Sequence, residues 1–224
     1  MSIGEPLHPT TGADWRAFVD APMRFVSRRW LGDCLGDMAD EATLTALAQH
    51  PRFQGRLTQR LVQRHALAPP EALPAPQADD LPVYLLPPDG GDSLAHYCGA
   101  ICHATAFVRE IRAPRVIELK ARFGEAAFAT ALAHRELAIA DTAHADDDAL
   151  EHAIARDGAA CLAIWVAQQP AELAAWLRLR LAGDVPSATD GIAAEIHQRG
   201  AAIVRRAAAI IATMPSDSAP QEPT

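Results

Sequence analysis

The chain has 224 residues, of which 50% are hydrophobic and only 5% aromatic. The formal net charge of −8, from 20 basic and 28 acidic residues, makes nucleic-acid binding a poor prediction. No apolar run approaches the roughly 20 residues that a membrane-spanning helix needs. The first residues also lack the charged n-region and the following apolar h-region of a Sec signal peptide. We therefore expect neither Sec export nor membrane insertion.

The composition favours helices. Alanine and leucine are abundant, whereas the β-branched and aromatic residues that a sheet needs are scarce. A chain of this length supplies one domain of good size or two small ones, with enough apolar residues for a core. We therefore predict a mostly α protein: a compact multi-helix domain with at most a short strand or two.

The N-terminal part, residues 13–67, follows a proline- and glycine-bearing stretch, residues 1–12, that we interpret as a flexible leader. Hydrophobic spacing and the breaks at Asp20-Ala21-Pro22 and His50-Pro51 predict four short helices in this part. They cover residues 14–19, 23–31, 41–49 and 52–65.

Residues 68–92 differ in character from the rest of the chain. Seven prolines occur between Pro69 and Pro88, and Gly90-Gly91 follows them. This composition predicts an extended connector that is too rich in proline for a helix. Residues 81–86 are apolar enough to dock on the core as an edge strand. The connector either separates two helical subdomains or wraps one.

The C-terminal part, residues 93–213, opens with the clearest helical pattern in the chain. We predict one helix from Ser93, acting as its cap, to Ile111. Its buried face carries apolar or small residues at helical spacing: Leu94, Tyr97, Cys98, Ile101, Thr105, Val108 and Ile111. Pro114 suits the first turn of the next helix, over 114–123.

Further helices follow along the C-terminal part. They are predicted over 124–140, over a longer segment after a loop at 141–146, from Pro170 onwards, and over 188–213. The longer one has a buried face formed by Leu150, Ile154, Cys161, Leu162 and Trp165. The alternation in Leu177–Leu181 leaves a short extended piece as an alternative. Residues 214–224 are polar and predict a disordered tail.

The four cysteines are Cys34, Cys98, Cys102 and Cys161. Their spacing is not that of a disulfide framework, which agrees with a reducing cytoplasm. Cys98 and Cys102 share one helix face and could hold two corners of a zinc site. His103, however, points about 100° away from Cys102 on a helix. Buried cysteines on a packing face explain the pattern better.

His144, Asp148 and His152 recur at intervals of four residues, the spacing of metal ligands on one helix face. His144 nevertheless falls in the predicted loop, and acidic residues at the following helix start are explained by the helix dipole. We find no glycine-rich phosphate loop and no G-x-S-x-G elbow. We predict no catalytic site, no metal and no cofactor; a helical metal-binding protein or enzyme using these three residues is the alternative.

Positive charge is concentrated around the predicted 111–115 turn of an acidic protein, in Arg109, Arg112, Arg115 and Arg122, with Lys120. Such charge is usually no more than a solvated face. The functional interpretation is a contact for a partner with acidic groups. A helix-turn-helix that contacts DNA is disfavoured by Pro114 and by the acidic balance of the chain.

Several segments together resemble the SctK family, the cytoplasmic accessory subunits of the bacterial type III secretion sorting platform. The segments that carry the resemblance are 18–25 (FVDAPMRF) with Trp30-Leu31, Cys98-Gly99, His103, Arg109, Ile111, Leu119, Phe123-Gly124, His134-Arg135-Glu136, 158–165 (GAACLAIW) and 175–181 (AWLRLRL). They cover most of residues 18–181 and are patterns of packing rather than chemical signatures.

The resemblance implies a non-enzymatic adaptor beneath the injectisome. Proteins of this family link the cytoplasmic domain of the inner-membrane ring protein SctD to the pod protein SctQ. The pods in turn contact the SctL stator and the SctN ATPase. The expected location is cytoplasmic, at the inner membrane through protein contacts. The family has no motif that defines contact residues, so Arg109, Arg112 and Arg115 are candidates on charge alone.

Overall fold

The computed structural model describes residues 10–35, 39–87, 90–139, 144–181 and 191–214. Within these ranges the chain forms helices and connecting turns, and no β-strand occurs. The predicted mostly α fold is therefore confirmed. None of the helices in these ranges is long and apolar enough to cross a membrane.

Twelve α-helices and three 3₁₀ turns make up the described architecture. The α-helices are α1 (Thr10–Asp20), α2 (Arg28–Leu35), α3 (Glu41–Gln49), α4 (Pro51–His65), α5 (Leu81–Tyr84), α6 (Gly90–Cys102), α7 (Ala104–Val108), α8 (Ala113–Phe123), α9 (Glu125–Ala133), α10 (Asp147–Ala167), α11 (Ala171–Arg180) and α12 (Ala194–Thr213). The 3₁₀ turns are Pro22–Arg24, Pro70–Ala72 and Arg135–Leu137.

Helices begin where local signals predict them. The Asp40 carboxylate accepts a hydrogen bond of 2.8 Å from the Thr43 amide and caps α3. Asp146 caps α10 in the same way through the Ala149 amide, also at 2.8 Å. Proline lies in the first turn of both α4 and α8, where its missing N–H leaves no helical bond unmade. The helices predicted over 41–49, 52–65 and 114–123 are confirmed by α3, α4 and α8.

The single helix predicted over 23–31 is wrong. A 3₁₀ turn covers Pro22–Arg24, and α2 begins only at Arg28. In a continuous helix the Ser27 amide would donate to the carbonyl of Met23. It donates instead to the carbonyl of Leu179, over 3.0 Å. A tertiary hydrogen bond to α11 thus interrupts the local pattern.

The single helix predicted over 93–111 is wrong as well. The structure divides it into α6 and α7, and α6 begins at Gly90, so exposed Ser93 is not a cap. At the break the Cys102 carbonyl accepts from the Ile139 amide over 3.0 Å, and the Ala106 amide donates to His103 instead. Beyond the break the predicted face is no longer the buried one, since Val108 is 39% and Ile111 89% exposed.

Two extended segments considered from the sequence are also helical. Residues 81–84 form α5, not an edge strand, with Pro82 in the first turn. The alternating segment after Trp176 continues α11 as far as Arg180. Conversely, the helix predicted over 124–140 ends at Ala133 and continues as the 3₁₀ turn Arg135–Leu137.

Parts of other predictions lie outside the described residues. These parts are residues 1–9 of the leader, residues 88–89 of the connector, residue 140 of the helix predicted over 124–140, residues 141–143 of the loop after it, residues 188–190 at the start of the last predicted helix and residues 215–224 of the tail. Residues 10–12 of the predicted leader belong to α1. The helix predicted after the 141–146 loop is confirmed by α10, whose five predicted face residues are all buried.

Helices α6 and α10 pack against each other through two glycines. A Cβ added to Gly99 would overlap the backbone carbonyl of Ile154, and one added to Gly158 would overlap the carbonyl of Ala95. The two backbones therefore touch directly, at a distance that only glycine allows. Helix α12 packs against the same pair of helices.

The buried apolar residues form two clusters. The larger draws on the N-terminal part, the connector and the C-terminal part, with Phe18, Leu61, Tyr84, Trp165 and Ile203 among its buried members. The smaller lies beneath α7, α8 and α9 and is rich in aromatic rings: Phe107, Phe123 and Phe128 pack edge to face, with centroids 5.3–5.5 Å apart.

Arg180 is a buried cation that connects α11 to the N-terminal part and to the connector. Its guanidinium donates to the carbonyls of Phe25, Tyr84 and Leu86 and lies 5.2 Å from the ring centroid of Phe25. Burial lowers the pKa of Arg180 to about 9, so it is charged at neutral pH. Asp80 has a similar role, because it accepts from Trp165 and Arg205 and holds the connector on α10 and α12.

We expect Gly158→Ala to reduce the free energy of unfolding by about 3 kcal/mol, because overpacking displaces the two helices. Gly55→Ala, in α4, is the matched control. A Cβ there meets nothing within 4 Å, so the higher helix propensity of alanine should stabilise the protein by about 1 kcal/mol. Denaturant unfolding followed by circular dichroism measures both variants. Equal effects of the two substitutions would contradict the proposed backbone contact.

Candidate functional site

The three arginines predicted as a partner contact lie where α7 turns into α8. Arg112 forms a two-point ion pair with Glu110, with nitrogen–oxygen distances of 3.0 and 2.8 Å. Arg115 pairs with Glu118 at 3.0 Å and with Asp147 at the start of α10. Hydrogen bonds from Arg112 lower the pKa of Glu110 to about 2. The charge of Arg112 and Arg115 is thus largely neutralised by carboxylates of the same chain.

Basic residues further along α8 are paired in the same manner. Lys120 contacts Glu125 at 2.9 Å, and Arg122 contacts Asp148 and Glu151 of α10. These pairs fix α8 to its neighbours. They leave little excess positive charge to attract an acidic partner from a distance.

Exposed apolar side chains distinguish this region more than its charge does. Ile111 is 89% exposed, Ile117 67% and Val108 39%. No other large apolar side chain in the described ranges is as exposed as the two isoleucines. We call Val108, Ile111, Arg112, Arg115 and Ile117 the α7–α8 surface. The helical period had placed Ile111 on a buried face, so sequence reasoning missed the apolar part of this surface.

A buried polar chain lies beside the same helices. His103, between α6 and α7, places Nε2 2.8 Å from Oδ2 of Asp157 in the middle of α10. His144 places its Nε2 3.1 Å from Nδ1 of His103. Arg156 donates to the other oxygen of Asp157 over 2.7 Å. When His103 donates to the Asp157 carboxylate through Nε2, its Nδ1 can accept a hydrogen bond from the His144 ring.

The pKa values of this chain follow from its surroundings. Burial opposes ionisation of Asp157, but hydrogen bonds from His103 and Arg156 outweigh it and hold the pKa at about 2. Burial lowers the pKa of His144, and the neighbouring His103 acts in the same direction. Asp157 is therefore a carboxylate and His144 a neutral ring at pH 7. No local pattern in the sequence predicts the contacts of His103, because its partners His144 and Asp157 lie 41 and 54 residues away.

The three residues of the alternative metal site have separate partners in the structure. His144 contacts His103, Asp148 contacts Arg122, and exposed His152 contacts the backbone carbonyl of Asp148 at 2.6 Å. In the part of the chain that the structure describes, no three His, Cys, Asp or Glu side chains are placed to hold a metal ion.

The cysteines are buried and unoxidised. The sulfurs of Cys102 and Cys161 are 3.5 Å apart at the α6–α10 contact. That hydrogen bond and burial raise the pKa of Cys102 far above the usual thiol range. Burial also raises the pKa of Cys98, which is fully buried on the same face. Cys98 and Cys102 are therefore protonated packing residues, since a nucleophile or a metal ligand requires the thiolate.

Comparisons of the chain with protein-family models, with curated proteins and with solved structures gave no match. The resemblance to the SctK family therefore stays a prediction from the residues that carry it. A function must be argued from the surface and the buried groups described above.

Asp157→Asn should reveal the contribution of the buried pair through its dependence on pH. A carboxylate whose pKa is lowered by folding contributes stability above its unfolded pKa, and loses it as the pH falls through the folded value. With an unfolded pKa near 3.9, the contribution is about 2–3 kcal/mol at pH 7 and disappears between roughly pH 4 and pH 2.

Denaturant unfolding of wild type and variant from pH 7 to pH 2 measures this difference. Asp148→Asn is the control, because its ion pair with Arg122 is exposed and should contribute little to stability. A constant difference between wild type and Asp157→Asn across this pH range would contradict the assigned pKa.

Proposed function

We propose that the protein is a non-enzymatic adaptor of the bacterial type III secretion sorting platform. It would link the cytoplasmic domain of an SctD-like inner-membrane ring protein to an SctQ-like pod protein. Through the pod it would act with an SctL-like stator and an SctN-like ATPase. Its place would be the cytoplasmic side of the inner membrane, held there by protein contacts.

The observation that carries this proposal is the α7–α8 surface. Ile111 is almost fully exposed, and burying an apolar side chain against a partner releases about 25 cal/mol for each Å² removed from water. Arg112 and Arg115 flank the isoleucines. Their positive charges are already neutralised by the carboxylates of Glu110, Glu118 and Asp147. An apolar centre with polar neighbours is the arrangement of protein interfaces.

The interior beneath this surface supports the same interpretation. The edge-to-face rings of Phe107, Phe123 and Phe128 underlie α7, α8 and α9. Arg115 and Arg122 further fix α8 to the start of α10. A rigid surface loses little conformational entropy when it binds. A docking function requires this rigidity, and it requires no catalytic group.

Binding to the two named partners tests the proposal. The tagged chain is co-expressed with the SctQ-like protein and, separately, with the SctD-like cytoplasmic domain of the same organism, and each complex is isolated by affinity and size-exclusion chromatography. We expect complexes with both. Recovery of neither, under conditions that preserve large assemblies, would contradict the adaptor function.

The double substitution Ile111→Asp with Ile117→Asp should weaken binding of at least one partner by tenfold or more, because two charges replace the apolar centre. Phe53→Asp is the matched control, since Phe53 is a large apolar residue on α4 that is 39% exposed. Titration calorimetry gives the affinities, and thermal unfolding verifies that both variants fold. Unchanged affinity for both partners would remove the α7–α8 surface from the interface.

A further inference from the structure

Helix α4 carries a row of arginines on its exposed side. They follow one another at intervals of four residues and are all exposed: Arg52, Arg56, Arg60 and Arg64. Four residues make slightly more than one helical turn, so neighbouring arginines lie one above the other, about 6 Å apart along the axis. The opposite side of α4 is buried through Gln54, Leu57 and Leu61. We call the four arginines the α4 stripe.

The α4 stripe has no counterion within the described ranges. Helix α4, Pro51–His65, contains no aspartate or glutamate, and none of the four arginines forms an ion pair with a carboxylate of those ranges. Six cations of the C-terminal part, by contrast, are ion-paired: Arg112, Arg115, Lys120, Arg122, Arg156 and Arg205. The stripe is therefore a surface of uncompensated positive charge on an acidic protein.

The stripe opposes the stability of its own helix. Like charges four residues apart on a helix repel each other, and the stripe contains three such pairs. Arg52 also lies in the first turn of α4, where the helix dipole disfavours a cation. Carboxylates of a bound partner would relieve both effects. The stripe is thus better suited to a complex than to the free chain.

A fifth exposed arginine lies near the C-terminal end of α4. The guanidinium carbon of Arg29 is 5.7 Å from the ring centroid of Trp30, and that ring packs edge to face on His65 with centroids 5.3 Å apart. Arg29 is exposed and Trp30 is partly buried. Arginine and tryptophan are among the residues that most often anchor protein interfaces. The positive surface therefore continues from α4 onto α2 beside an aromatic ring.

We propose that the α4 stripe binds an acidic segment of a partner protein. A guanidinium pairs with a carboxylate through two parallel hydrogen bonds, which makes arginine specific for this group. A helix with aspartate or glutamate at every fourth position presents carboxylates at the same spacing of about 6 Å. The proposal goes beyond the adaptor function and does not depend on it.

The charge of the remaining chain favours a short protein segment over a nucleic acid or a membrane. Helix α4 holds four of the 20 basic residues and no acidic one, so the remainder is more acidic than the net charge of −8 indicates. A nucleic-acid duplex or a lipid bilayer extends well beyond the stripe, which is about 18 Å long. Such a surface would face the acidic remainder and be repelled by it. A segment as long as the stripe contacts the arginines alone.

Fluorescence anisotropy of a labelled peptide tests the proposal on the full-length chain. The probe is a peptide with blocked ends in which four glutamates are separated by runs of three alanines. We expect it to bind, and to bind at least tenfold more weakly in high salt, because salt screens exposed charges. The peptide with glutamine in place of glutamate should also bind at least tenfold more weakly. Absence of binding by the glutamate peptide, or equal binding of the glutamine peptide, would overturn the proposal.

A pair of double variants locates the binding on the stripe. Arg56→Gln with Arg60→Gln should weaken binding of the glutamate peptide at least tenfold, because two of the four charge pairs are lost. Arg178→Gln with Arg206→Gln is the matched control, since it changes the net charge equally through exposed arginines of α11 and α12. The control should alter the affinity less than twofold. Equal losses in the two variants would exclude the stripe, because binding would then follow the overall charge.

Thermal unfolding gives a second readout that needs no ligand. Arg56→Gln with Arg60→Gln removes all three like-charge pairs and should raise the unfolding midpoint by roughly 1–4 °C in low salt. The difference should disappear in high salt. A lower midpoint of this variant would contradict the repulsion on which the proposal rests.

Two other polyanions test the class of partner. An oligothymidylate and vesicles of phosphatidylglycerol should each bind more weakly than the glutamate peptide. Tighter binding of either one, lost in Arg56→Gln with Arg60→Gln, would overturn the assignment to a protein segment. Every variant keeps Ile111 and Ile117, and the probes are synthetic, so the outcome here and that of the adaptor test are independent.

Discussion

The direct backbone contact between α6 and α10 is the constraint on which the rest of the fold depends. Gly99 and Gly158 leave no space for a side chain at the crossing, so the neighbouring positions accept only small or closely matched groups. The sulfurs of Cys102 and Cys161 meet there, 3.5 Å apart. Since α12 packs on the same two helices, the spacing set by the glycines determines where the third helix lies.

Buried polar groups then connect segments that are far apart in the sequence. Arg180 binds carbonyls near the N-terminus and in the connector, Asp80 binds α10 and α12, and His103 binds Asp157. Each group is satisfied by several hydrogen bonds, which is the condition for burying a charge without large loss of stability. The proline-rich connector, although it has little regular structure of its own, is thereby fixed to the core.

The sequence predicts those elements whose signals are local. Three such signals lie at the first turn of the helix that each begins: Asp40, Pro114 and Asp146. Those helices were predicted. The breaks at Ser27 and at Cys102 depend on Leu179 and Ile139, which no local window contains. The candidate surface shows the same division: the arginines were proposed from their charge alone, but the exposure of Ile111 follows from a break that a helical period cannot anticipate.

The α7–α8 surface must recognise a partner through apolar burial rather than through charge. Arg112 and Arg115 are already paired with carboxylates of the chain, so affinity must come from burying the isoleucines. Salt screens exposed charges over a Debye length of about 8 Å at physiological ionic strength but leaves apolar burial nearly unchanged. Docking through Ile111 and Ile117 therefore persists as the ionic strength rises, whereas a contact made by free charges would weaken.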